Sequence, residues 1–230
     1  MSRTTTPAPA RTDDAPAAAR VTAASARDEA LERRLDEAAG VDLSFVRRRG
    51  AYLAAGSLVW ATATFTVGSV PETSLGWAIQ DLGGLVFQLG LMALLGVQAR
   101  TMATGTGRVA RAMIPVERVV LGLAMVWSLI HGAVPPLRDA GWLAILDICW
   151  PLSMLGMFVI GVKIAIAGRW RGAARVWPVL AESWAVVTVP TFLIAGEALG
   201  NIVGGTHLIL GYAGLGLLLV LRPALVRPRR

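Results

Sequence analysis

Between Ala51 and Leu221 the chain is almost wholly apolar and is interrupted only by short polar stretches. That pattern leaves few ways to fold. A helix needs about 20 apolar residues to cross about 30 Å of hydrocarbon. Six runs approach that length: 51–70, 77–97, 119–135, 141–165, 176–199 and 206–221. In hydrocarbon each backbone N–H and C=O must find a partner within the protein, so the runs read as α-helices. The expected fold class is all-α: a polytopic membrane protein whose six-transmembrane-helix bundle occupies residues 51–222.

Charge placement sets the expected orientation. Arg47, Arg48 and Arg49 precede the first run, and Arg100, Arg108, Arg111 and Arg118 lie between the second and third. Lys163, Arg169, Arg171 and Arg175 follow the fourth, and Arg222, Arg227, Arg229 and Arg230 follow the sixth. The alternate loops hold Arg138 alone. This asymmetry predicts a multi-pass protein of the cytoplasmic (inner) membrane with both termini inside. The formal net charge of +7 then reflects topology, so the expected partner is the lipid bilayer and not nucleic acid.

The first 50 residues form an expected cytoplasmic tail. They lack an apolar h-region, so no cleavable signal peptide is expected and the first crossing directs insertion. Residues 1–20, rich in Ala, Pro and Thr, predict disorder. From about 22 to 39 an amphipathic helix is expected, with Glu29–Arg33 and Arg33–Glu37 one turn apart and Gly40 closing it. Its thin apolar stripe leaves room for a cytoplasmic or membrane protein partner. Asp42 is placed to cap a helix running into the first crossing. Residues 223–230 read as a basic cytoplasmic tail.

An internal repeat organises the apolar region. Gly76-Trp77 and Gly141-Trp142 open the second and fourth runs, and Asp81–Gly90 and Asp147–Gly156 follow with the same spacing of nine. His207 and Gly216 repeat that spacing, while Gly68, Gly132 and Gly196 recur at intervals of 64. The implied unit is a two-helix hairpin in three parallel copies. Mitochondrial carriers share this plan, but their Pro-x-Asp/Glu-x-x-Lys/Arg signature is missing after each odd helix. The segment Leu152-Ser153-Met154-Leu155-Gly156-Met157, with Gly168-Arg169-Trp170-Arg171-Gly172 and Trp177-Pro178, resembles a loose group of six-helix actinobacterial integral membrane proteins with no known activity. The likeness covers the fourth and fifth helices and implies a fold, not a function.

Ionisable groups inside a bilayer are costly and need an explanation. Asp81, His131, Asp147, Glu197 and His207 all fall toward the outer leaflet on the expected boundaries, and together they form a candidate polar pocket. Under the repeat, Asp81, Asp147 and His207 face one central space. Glu117, Glu182 and Lys163 fall in the inner half, beside loop arginines. Lone Cys149 excludes an internal disulfide and a cysteine metal cluster. No HxxxH, HExxH, Walker or Rossmann pattern is present, and Ser128 near His131 lacks an oxyanion turn. No catalytic residue, metal or cofactor is therefore expected. Two readings follow: a non-catalytic membrane module (subunit, scaffold or regulator), or a small-solute or ion transporter using the outer pocket. A dry, packed centre favours the first and a pocket continuing inward the second.

Overall fold

The computed structural model describes residues 14–228, with side chains from Ala24 onward. All regular structure among these residues is helical. The chain divides into two compact units, residues 1–36 and 37–230. The first carries most of α1 (Asp14–Ala39). The expected disorder over 1–20 is corrected from Asp14 onward: Ala15, Ala17, Ala18 and Ala19 are strong helix formers, and Pro16 is tolerated within a first turn. The rest of that expectation lies outside the described residues.

In the second unit, α2 (Leu43–Val67) starts eight residues before the apolar run. Asp42 caps it, accepting from Ser44 N at 2.8 Å and Ser44 Oγ at 2.6 Å. Those bonds hold the Asp42 carboxyl below the ordinary carboxylate range. Next come α3 (Ser74–Arg100) and α4 (Arg108–Ala133). The fourth crossing is broken into α5 (Gly141–Asp147) and α6 (Cys149–Ala167). Pro151 explains the break, because it has no N–H to give the Asp147 carbonyl one turn back.

The fifth and sixth crossings run as one apolar stretch of 49 residues, Ala173–Leu221. It comprises α7 (Ala173–Glu182), α8 (Trp184–His207), a π-helical turn at Leu208–Ala213 and α9 (Gly214–Leu221). Among the described residues, five segments are long and apolar enough to cross a membrane. Contacts divide the last of them in two. Gly196 has φ 81° and ψ 176°, a region open essentially to glycine alone. On either side the residues pair in antiparallel register. Phe192 packs on Gly200, Trp184 Nε1 donates to Gly204 O at 3.0 Å, and Trp177 Nε1 donates to Gly211 O at 3.0 Å. Gly196 is therefore the tip of a helical hairpin. The expected loop at 200–205 is helix, and the sixth crossing starts at Glu197 rather than Thr206.

A Cβ at Gly196 would meet open space, so substitution there tests backbone strain alone. Gly196→Ala is expected to cost about 1–3 kcal/mol in a detergent unfolding measurement. An unchanged transition would show that the turn has another solution.

The crossings pack in sequence order: α2 on α3, α3 on α4, α4 on α6, α6 on α7, and α9 back on α2. The crossings thus form a closed ring of sequence-adjacent helices. Gly68 ends α2 with φ 75° and ψ 175°, nearly the conformation of Gly196. Gly132 departs from its two counterparts, because it stays helical and packs on Asp81 and Leu82. Residues 223–226 are not a free tail. They form a 3₁₀ turn with Val226 fully buried, and Arg171 N donates to Leu225 O at 2.9 Å. Arg227 Nη2 also donates to Val41 O at 3.2 Å, which puts the start of α2 and the end of the chain at one end of the ring.

Candidate functional site: an aromatic cavity with a carboxylate–histidine wall

A cavity of about 350 Å³ lies among α2, α3, α4, α6 and α8 and reaches Ser69 and Val70 beyond the end of α2 and Leu193 near the Gly196 tip. Its floor is a triangle of indoles. Trp60 of α2, Trp150 of α6 and Trp184 of α8 have centroids 5.1–5.6 Å apart, two of the three pairs edge-on. Below them Phe87 stacks on Trp60 at 4.9 Å and meets Tyr212 edge-on at 4.9 Å, so the opening ends on packed rings. Edge-on and offset contacts are the favoured ring geometries, each worth about 0.5–1.5 kcal/mol beyond buried area.

One wall carries the ionisable groups. His131 Nδ1 donates to Asp81 Oδ2 at 2.6 Å, joining α4 to α3. Trp127, one turn before His131, stacks on the imidazole at 4.7 Å, and Trp77 meets it edge-on at 5.4 Å. Asp81 is 6% exposed and neighbouring Gln80 8%, and the Gln80 Oε1 is buried without a partner. Arg138 acts on Asp81 through its charge alone, because its donors bond other groups. They reach His131 O at 2.7 Å, Gly132 O at 3.4 Å, Ser74 Oγ at 2.9 Å and Ser74 O at 3.2 Å. Arg138 thus ties the start of α3 to the C-terminal carbonyls of α4, where a cation suits the helix dipole.

Of the five residues expected to share a pocket, only Asp81 and His131 bond directly. Asp147 is exposed and lies within electrostatic reach of His131. Glu197 is at the Gly196 tip, where its Oε1 accepts from Asn201 Nδ2 at 3.5 Å; Asn201 Oδ1 in turn accepts from Ser69 N and Oγ. His207 is corrected outright. It lies eleven residues beyond the tip, about 16 Å along the helix, and donates Nε2–H to Leu180 O at 2.8 Å. The three repeat-related groups do not face one space, because the sixth crossing starts earlier than its hydropathy suggests. Among the described residues no group of three or more His, Cys, Asp or Glu side chains could hold a metal.

The inner half differs more. Glu117 and Glu182 are buried at 4% and 0% exposure, and neither is within ion-pair distance of a cation among the described residues. Each stands nine residues into its helix, after Arg108 and Ala173. Glu117 accepts from Ser153 Oγ at 2.5 Å, and Glu182 accepts from Gln98 Nε2 at 3.1 Å. Glycines on α6 make the room, since a Cβ at Gly156 would overlap the Glu117 carboxylate and one at Gly161 that of Glu182. The fully buried Tyr212 hydroxyl has no partner. Burying a carboxylate without a counter-ion costs several kcal/mol, so this is the most demanding chemistry in the bundle. The sequence signal was present: a Glu amid apolar residues, with a glycine on the facing helix.

Trp170 lies between α6 and α7. It is fully buried, with Nε1 donating to Thr101 Oγ1 at 2.8 Å. A second cavity of about 480 Å³ opens among Thr104–Ala110, Lys163 and Arg169, within the arginine-rich loops. Compared with known proteins, the chain matches no family model, no curated protein and no solved structure.

Proposed function

We propose that this chain is a solute-binding membrane protein of the cytoplasmic membrane, with its site open to the outer face. The packed aromatic floor, which alone would favour a non-transporting module, is read as the closed inner barrier of an outward-facing transporter. The cavity carries the reading: about 350 Å³ within a closed helical ring, walled by a buried Asp81–His131 pair and floored by aromatic rings. That volume lies in the range of small-molecule sites, and ionisable groups at such depth are functional by default. The arginine-rich loops favour the opposite end inside, together with both termini. Glu117 and Glu182 lie beyond the aromatic floor, where an inward-facing half of the path needs polar groups.

Single cysteines in a Cys149→Ser background test access and orientation together. An impermeant methanethiosulfonate added to intact cells is expected to label Asp139→Cys, on the Arg138 loop, and Ser128→Cys, on the cavity wall. Thr106→Cys, on an arginine-rich loop, should stay unlabelled. Liposomes holding the protein should take up at least one member of a panel of small cationic, neutral and anionic solutes. An unlabelled Ser128→Cys with no uptake of any solute would return the chain to the other reading, a non-catalytic subunit, scaffold or regulator.

A further inference from the structure

We infer that the cavity selects a small organic ammonium ion over neutral and anionic solutes. This deepens the reading of the cavity as a solute site and depends on it. The lining is complementary to a cation in three independent respects. First, it presents indoles from five helical segments: Trp60, Trp77, Trp127, Trp150 and Trp184. Their faces carry the negative lobe of the ring quadrupole, and tryptophan is the best such partner for an alkylammonium head.

Second, its buried polar atoms accept hydrogen bonds. Asp81 uses Oδ2 for His131, and Oδ1 has no bond among the described residues. Gln80 Oε1 is buried and unpartnered, a deficit that a donor on the ligand removes. Third, no lysine or arginine lines the space, and Arg138 acts on Asp81 only from outside the lining. Asp147 lies within electrostatic reach of His131 on the same wall. An anion would meet the Asp81 carboxylate and the ring faces. An apolar solute would leave both acceptors unpaired. A bare metal ion would meet indoles where it needs oxygen or nitrogen ligands. An organic ammonium satisfies the rings and the carboxylate together.

The test compares choline with 3,3-dimethylbutan-1-ol, its neutral isostere of the same shape, on the full chain in dodecyl maltoside. Binding is read by titration calorimetry and by tryptophan fluorescence. Choline is expected to bind at least about tenfold more tightly than the isostere. Asp81→Asn should remove most of that preference while leaving the isostere unchanged. Equal binding of the two compounds would overturn charge selection while leaving a solute site in place; a Ser128→Cys closed to reagent together with no uptake of any solute would overturn both. Absence of binding by either compound, or a preference that survives Asp81→Asn, also overturns the inference. Should Asp81→Asn fail to fold, the wild-type comparison decides alone.

Discussion

His131→Ala is expected to lower the unfolding free energy by about 3 kcal/mol, and Asp81→Asn by less than about 1 kcal/mol. The asymmetry follows from what each change leaves behind. Removing the imidazole strands a carboxylate that is 6% exposed and takes the stacking partner from Trp127 and Trp77. Replacing the carboxylate by an amide keeps an oxygen for His131 Nδ1 and removes a charge from a poorly solvated wall. An average side-chain hydrogen bond between membrane helices is worth only about 0.6 kcal/mol, so a neutral pair could not produce the larger figure. His131→Phe separates the two contributions, because it keeps a ring between the indoles and loses the donor. It should fall between the other variants, and Asp81→Asn in the same chain should restore part of its loss. Reversible unfolding in mixed micelles measures all four proteins. Equal losses for His131→Ala and Asp81→Asn would mean that the pair carries no special energy.

Gly216→Val is expected to abolish the folded bundle, a loss of about 3 kcal/mol or more. A Cβ at Gly216 would lie 2.6 Å from Ala54 N and from Gly50 O, and one at Gly50 would lie 2.7 Å from Gly216 O. These neighbours are backbone atoms, which cannot rotate away as a side chain can. The contact joins α9 to α2 and so closes the ring. Close approach through small residues is the usual means of packing helices where lipid gives no hydrophobic drive. Gly122→Val is the control, since a Cβ there meets only the Met92 methyl at 3.8 Å, and it should melt near the wild type. Survival of Gly216→Val in a monodisperse, normally melting form would show that the ring tolerates an opened seam.

Helix class and the cap at Asp42 were legible because each rests on local chemistry: apolar run length and a side-chain acceptor. The boundary between the fifth and sixth crossings was not. Gly196 is flanked by Ala195 and Glu197 inside an apolar stretch, and hydropathy does not register a backbone angle. That one error of register carried His207 into a pocket it does not line. Asp81 and His131 were found because a charge in an apolar run is conspicuous. The indoles around them were not, since Trp60, Trp127, Trp150 and Trp184 look like ordinary apolar residues until the ring brings them together. Glu117 and Glu182 were assigned to neighbouring arginines by proximity in sequence. The helix period turns them inward instead, onto Gly156 and Gly161.

The one-residue turn at Gly196 also bears on how the chain enters the bilayer during synthesis. Between Ser183 and Thr206 the only charged side chain is Glu197, so on the proposed orientation delivery of the third hairpin carries one carboxylate and no hydrophilic loop to the far leaflet. The first hairpin carries Glu72 across in its turn, and the second carries Arg138 and Asp139. With almost nothing polar to move, the last two crossings can leave the insertion machinery together as a closed hairpin. Trp184 and Gly204 then meet before either helix faces lipid alone. Polar residues spliced in after Gly196 would divide that single step in two, and the cost would appear first as failed insertion of the last crossing, before any loss of stability in the finished protein.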